Sequence, residues 1–398
     1  MQDERQQKGL QIARAKRIKK AAGKLWVVPS QSHAGTYVVN VAIGTCTCPD
    51  HETRDVKCKH LWAVEYVRHR VLNPDGTKVE TEALRVTYTQ NWPAYHAAQC
   101  AEQEQVQLLL RDLCEQIVQP PHHGRGRPPV LLADVVYAAT LKIYSGVSGR
   151  RATTEIKECA TKGMIEHAPC YNTIFNYLDK PELTPLLTGM IEQSATPLRA
   201  VERDFAADST GFSTSVYRRW YDHKYGREMK EHTWLKAHAM IGVVTNVVTS
   251  VIVTPGDAHD APEFPALVAA TARGFEVAEV SADKAYLSHA NLAAVEAAGG
   301  KPYIPFKSNS TERGSPAWER LFHLFAMNRP EFLAHYHKRS NVEATFSAIK
   351  RKFDGSIRSK RYDAQVNEIL CKFLCYNLAT LVHAMFELGV KPTFAKVA

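Results

Sequence analysis

Between residues 335 and 353 the apolar positions Val342, Phe346, Ile349 and Phe353 recur at three- and four-residue intervals, with no Pro or Gly before Gly355. That period predicts a helix with one buried face. If the helix reaches back to Tyr336, a second stripe runs beside the apolar one. At about 100° per residue, Arg339, Lys350 and Tyr336 fall at about −40°, −20° and +20° from Glu343. Period-two alternation elsewhere predicts strands in "KLWVVPS", "TYVVNVAIG", "DFAADST", "FEVAEVSAD" and "KPYIPF". Residues 235–255 read as a hairpin turning at Thr245-Asn246. Helical spacing appears in "HLWAVEYVRH", in 93–118 (Val106, Leu109, Leu110, Leu113, Ile117), and in short segments across 131–198. It recurs at 261–272, 288–298 and 316–329, and in the long apolar run around "NEILCKFLCYNLATLVHAMFELG". Strands and helices alternate after residue 204, which predicts an α/β domain.

Charge changes this picture at two places. The 398 residues carry a net charge of +9, but residues 1–24 and 338–361 each hold eight Lys and Arg against two Asp and Glu. The remainder is slightly acidic, so the basicity is concentrated, as a polyanion-binding surface requires. The N-terminal segment has no apolar run of the signal-peptide kind. The apolar stretch 239–255 is broken by Thr, Asn and Ser and reads as strands, not as a membrane span. Nine cysteines without an export signal fit a reducing compartment, and a cytoplasmic, nucleoid-associated protein is expected. No phosphate-cradling glycine motif occurs, so no nucleotide cofactor is expected.

Four side chains stand out as metal ligands. "TCTCPDHETRDVKCKH" sets Cys46, Cys48, Cys58 and His60 as C-x-C-x9-C-x-H. Three thiolates and an imidazole suit a closed, tetrahedral, structural Zn²⁺ site, with His51 as a substitute ligand. This pattern resembles the SWIM zinc finger, a module associated with DNA or protein binding.

Three carboxylates form a second constellation. Asp208 and Asp283 each end an apolar strand, in "FAADSTG" and "VAEVSADKAY", and Glu343 interrupts the basic helix. Two strand acids and one helix acid converging on a sheet edge can hold two Mg²⁺ ions for phosphoryl transfer. Asp204 shares the strand with Asp208 but starts it. His259, Asp260 and Glu263 lie in a loop entering a helix, where Asp serves as an N-cap as readily as it borders a site.

The pattern Y-x-x-R-x-x-x-E-x-x-x-x-x-x-K, present as Tyr336, Arg339, Glu343 and Lys350, resembles that of the DDE insertion-sequence transposases. "ADSTG", "ADKAY" and "TPGDAHDAPEF" resemble the family's Asp motifs and the segment after its third strand. The resemblance spans about residues 125–390. It implies an RNase H-like catalytic core in which Asp208, Asp283 and Glu343 hold Mg²⁺ or Mn²⁺, and Tyr336, Arg339 and Lys350 contact DNA. It further implies cleavage and strand transfer on double-stranded DNA by a homodimer. The 60-residue spacing from Asp283 to Glu343 leaves little room for the β-rich insertion that some relatives carry. Arg125 and Arg127 in "HGRGRPP" resemble an AT-hook core or form a basic linker. Residues 148–180 suit a helix-turn-helix presenting Tyr171, Asn172 and Asn176, or a plain helical bundle. The expected organisation is a basic arm (1–24), a small β-rich zinc module (25–68), a helical linker (69–124), a helical DNA-binding region (125–200) and the catalytic domain (201–390).

Overall fold

The computed structural model describes residues 4–15, 18–21, 24–31, 35–54, 56–68, 91–122, 128–214, 234–307 and 310–394. They fall into two compact units, one within residues 1–88 and the other within 89–398.

In the first unit, β1 (Lys19–Lys20), β2 (Leu25–Pro29), β3 (Thr36–Asn40) and β4 (Thr45–Cys46) form an antiparallel sheet in chain order. Val28 and Val39 point inward from β2 and β3 and are fully buried. The segment expected as a basic arm contains a helix, α1 (Glu4–Ala15), and this helix is part of the unit. It packs on α3 (Lys59–Arg68) and buries Ile12 completely. The two helices approach closely because residue 9 is glycine; a Cβ there would lie 2.5 Å from Trp62 Cβ. Arg5 also grips Asp50 on α2 (Pro49–Arg54) with two hydrogen bonds, of 3.0 and 3.2 Å.

The second unit begins with helices α4 (Trp92–Cys114), α5 (Leu132–Tyr144), α6 (Gly149–Thr161), α7 (Tyr171–Leu178) and α8 (Leu183–Ala195). The helix expected as a linker, α4, is instead integral to this unit, because its Val106, Leu109, Leu110 and Leu113 face is buried. The sheet follows, with β5 (Asp204–Ser213), β6 (Trp234–Gly242), β7 (Val248–Pro255), β8 (Glu279–Ala282) and β9 (Lys301–Tyr303). Its order is β7-β6-β5-β8-β9; β5, β6 and β7 are antiparallel, and β8 and β9 continue from β5 in parallel. The hairpin turn sits where the sequence sets it, with Asn246 at a positive φ of 64°, a conformation Asn tolerates. The buried Glu202 carboxylate accepts the turn's Val244 and Thr245 N–H groups, and Gly242 leaves room for it.

Between and after the strands lie α9 (Phe264–Gly274), α10 (His289–Ala297), α11 (Pro316–Met327), α12 (Arg329–Tyr336), α13 (Ser340–Phe353) and α14 (Tyr362–Leu388). Side chains alternate along β5, so Phe205 and Phe212 face opposite sides of the sheet. Phe205 meets Phe275, just after α9, and Phe212 meets Phe373 of α14. The sheet is therefore covered on both faces. By length and apolarity α14 is able to cross a membrane, but most of that stretch is buried within the unit, against α4, α5 and α8.

Candidate functional site

In the first unit, β4 carries Cys46, Cys48 precedes α2, Cys58 precedes α3 and His60 lies in its first turn. All four side chains are buried, and one donor atom from each lies within 4.8 Å of the others. Backbone carbonyls of Cys48 and Cys58 accept from the first turns of α2 and α3. Both sulfurs therefore stand at helix N-termini, where negative charge is favoured. Within the cluster the hydrogen bond from Cys46 holds the Cys58 thiol well below its usual range, while the same bond and burial push Cys46 up. His60 leaves its buried Nε2 without a partner, and its Nδ1 is 4.0 Å from Cys58 Sγ. His51 stays outside the cluster, with its Nδ1 2.8 Å from the Val56 carbonyl.

In the second unit, β5 and β8 run in parallel with Ala207 opposite Ala282, so the next residues, Asp208 and Asp283, are neighbours at the end of that pair. Both carboxylates are partly exposed. Asp208 Oδ1 accepts its neighbour's backbone N–H, from Ser209 at 2.9 Å, and Asp283 Oδ1 accepts the Lys284 N–H at 2.6 Å. Burial raises the Asp208 pKa; the Ser209 N–H and the Arg339 charge oppose this, and the Asp283 and Asp260 charges add to it.

The helix carrying Glu343 departs from the expected stripe. It is not continuous back to Tyr336, because α12 ends there and a 3-10 turn over His337–Arg339 precedes α13. The apolar face lies where the spacing sets it, with Val342, Phe346, Ile349 and Phe353 buried. Glu343 is exposed, with 67% of its side chain accessible. Arg339 is only 19% accessible and bridges the acids, donating to Asp208 Oδ2 at 2.6 Å and to Glu343 Oε1 at 3.2 Å. Charge pairing at i, i+4 covers the Arg339–Glu343 contact, but the bridge to Asp208 on β5 has no local signal in the sequence. Tyr336 stacks on Phe332 with ring centroids 6.1 Å apart, and the Arg339 guanidinium lies 6.0 Å from its ring. Lys350 lies apart from the acids, its ammonium 5.5 Å from the Phe212 ring. Arg125 and Arg127 lie outside the described residues.

Two networks flank the acids. Lys338 bridges Asp204 at 2.6 Å and Glu279 at 2.8 Å, and His335 reaches Glu279 at 2.8 Å. Asp204 is thus engaged at the start of its strand. The parallel register places Asp204 opposite Glu279, a pairing no single segment reveals. Asp260 makes no side-chain cap. It accepts from Lys236 at 3.0 Å and lies 3.5 Å from the Nδ1 of fully buried His238. Alternating polar residues Lys236 and His238 in an otherwise apolar strand were the signal for that network.

The class is thus a mixed α/β domain with two strand aspartates at one end of its sheet, one of them tied by an arginine to a helix glutamate. Residues 199–378 match the model of the transposase DDE domain. A probable transposase for insertion sequence element ISA1214 of Archaeoglobus fulgidus is 29% identical over 178 residues, 45% of this chain and 53% of the relative. The chain therefore spans about half the length of that curated relative. No solved structure matches.

Proposed function

We propose that this protein is a DNA transposase whose RNase H-like core cleaves element ends and joins them to target DNA, with Asp208, Asp283 and Glu343 as its catalytic carboxylates. The observation that carries this reading is the Asp208–Asp283 adjacency across β5 and β8, with Arg339 linking Asp208 to Glu343. A meander of three antiparallel strands continued by two parallel ones, helices on both faces, supports the RNase H-like assignment.

The donor chemistry fits divalent cations. The donor set is all carboxylate, the Asp208 charge is disfavoured by burial and by neighbouring Asp283, and a guanidinium already stands between two of the acids. Among the described residues, only the Cys/His group brings three or more metal-type donors within 4.8 Å, so the acids have still to close on a common point. Mg²⁺ bound there would activate an attacking oxygen and stabilise the leaving one. The chain's own part is to hold the acids on a rigid strand pair and a packed helix. Arg339, freed from Asp208, would turn to a DNA phosphate. Tyr336 supports Arg339 from below, and the basic residues of α13 add positive charge for the strand.

The Cys46, Cys48, Cys58 and His60 cluster fits Zn²⁺ by donor type and by the orphaned His60 nitrogen. We read it as a structural SWIM-type module accompanying the DNA-handling domain. Residues 149–178 supply two helices, α6 and α7, on which Asn172 and Asn176 are exposed and Tyr171 half-buried, as a helix-turn-helix reader would need.

The test is Mg²⁺-dependent nicking of a labelled duplex carrying the element's own terminal sequences. Asp208→Asn, Asp283→Asn and Glu343→Gln should each lower cleavage by orders of magnitude while leaving the fold and DNA binding intact. Combining them should add little, because the groups act as a unit. Wild-type cutting by Glu343→Gln would reduce Glu343 to a surface charge and end this reading.

A further inference from the structure

At the C-terminal end of α13 lies a cavity of about 370 Å³, walled by α5, α13, α14 and the segments joining them. Six cationic side chains and two carboxylates line it. The acids are already engaged. Glu368 accepts the backbone N–H groups of Arg358 and Ser359 at 2.8–3.2 Å, and Asp354 accepts from Ser356. Most of the cations are engaged too. Lys372 donates to the Asp354 and Ser356 carbonyls, Lys352 to Glu102, Arg358 to the Gly146 carbonyl and Arg351 to the Ser347 carbonyl.

Lys142 and Lys350 are different. Lys142 is only 7% exposed. Its ammonium has no acceptor among the described residues and lies 5.7 Å from the Phe175 ring. Lys350 is half-buried and likewise has only an aromatic ring, that of Phe212, beside it. Burial lowers both pKa values. The Glu368 charge opposes the effect of burial on Lys142, but the cavity's six cations outnumber its two carboxylates, and two ammoniums without a hydrogen-bond acceptor facing it suit an added anion. Two point charges with the Arg358 fork nearby suit a tetrahedral phosphate.

We infer that this cavity holds a backbone phosphate of the DNA strand being cut, a few nucleotides from the scissile position, with Lys142 as its innermost contact. Position argues for DNA over a free anion. Lys350 follows Glu343 by seven residues on α13, about 10 Å along the helix axis. That distance is about three nucleotides along one strand of a duplex. The inference rests on the transposase reading, but its test does not need cleavage.

The experiment uses the full chain and two measurements. Calorimetric titration with inorganic phosphate reads the cavity itself, and the salt dependence of duplex binding reads the DNA contact. Wild type should bind phosphate saturably, and Lys142→Met should weaken it about tenfold or more. Lys142→Arg should retain binding. The slope of log affinity against log salt should fall by about one unit in Lys142→Met. Removing a buried charge should leave the melting temperature unchanged or higher; if Lys142→Met does not fold, the phosphate titration of Lys350→Met reads the cavity in its place. Equal phosphate binding by variant and wild type would overturn the site. Weaker phosphate binding with an unchanged salt slope would overturn the DNA assignment. Absence of nicking by wild type would sink the transposase reading without touching the phosphate titration.

Discussion

The Cys/His module and the five-stranded domain assemble their key groups over very different stretches of chain. Cys46 to His60 lie within one short segment, whereas Asp208, Asp283 and Glu343 are drawn from 75- and 60-residue intervals. Their interiors differ as much. The module's buried apolar cluster is Ile12, Val28, Val39, Leu61, Ala63, Val64 and the three cysteines. Among the described residues, three of that cluster's nine members are cysteines of the candidate metal site. In the larger unit the acids border a core that includes both sheet faces and the length of α14, and none of them is part of it. On the proposed reading, one region is held together by its metal ligands, whereas the other keeps its acids apart from the core that stabilises it.

This difference is sharpest when the groups are removed. Chelation of zinc, or Cys58→Ala, should unfold the module and leave the melting transition of the larger unit in place. Structural zinc contributes about 10–16 kcal/mol to small modules, far more than so few buried residues supply. Metal content together with amide hydrogen exchange checks this. Equal zinc in Cys58→Ala and wild type, with β2, β3 and α3 still protected, would break the comparison by showing that the module folds on its apolar residues.

A smaller effect is expected at the acids. Arg339 and Asp208 are both mostly buried, so Arg339→Ala should cost about 1.5–3 kcal/mol, the range for a hydrogen bond to a charged group. The Arg339–Glu343 contact adds little, because Glu343 is exposed. Millimolar Mg²⁺ should recover part of the loss by supplying a cation to Asp208 and Asp283. Thermal melts with and without Mg²⁺ read both numbers, and a variant as stable as wild type in both conditions would show that no cation is needed there.

The same contrast governs what could be read from the sequence. The zinc-type cluster was legible because its spacing is local: a strand end, two helix starts and a polar loop between them. The apolar face of α13 was legible for the same reason. Arg339's bridge to Asp208 was not, since it joins residues 131 apart and its geometry depends on the 3-10 turn that breaks the helix after Tyr336. The helix α1 was hidden by its charge. Arg5, Lys8 and Arg14 made the segment read as a basic arm, while Ile12 and the bare Cα of Gly9 decide that it packs. Lys142 has no signal of its own in the sequence, because a lone lysine within the apolar run of α5 shows neither its burial nor what it faces.

The least dramatic test concerns the network beneath the acids, where the comparison predicts stability without catalysis. Burial pushes the Glu279 carboxylate up, but hydrogen bonds from Lys338 and His335 outweigh it and hold its pKa below the ordinary glutamate value. In the unfolded chain the group titrates near 4.3. The folded form therefore binds fewer protons as pH falls. Its contribution is fully present above about pH 4.3 and is lost as pH drops through the lowered folded value. Lys338 is shifted the other way, upward against its burial by Asp204 and Glu279, so its contribution holds below the ordinary lysine range and fails only in strong base. Glu279→Gln should thus cost about 1–2 kcal/mol at pH 7, a modest figure for losing a hydrogen-bonded charge that is 19% exposed. The deficit should shrink toward zero below pH 4, giving the variant a flatter acid limb in urea denaturation. Because Glu279 opposite Asp204 lies at the far end of the β5–β8 pair from Asp208, nicking at pH 7 should stay within about twofold of wild type. Parallel acid limbs would show that Lys338 and His335 do not hold the Glu279 charge, and a large loss of nicking would place this network in the chemistry rather than under it.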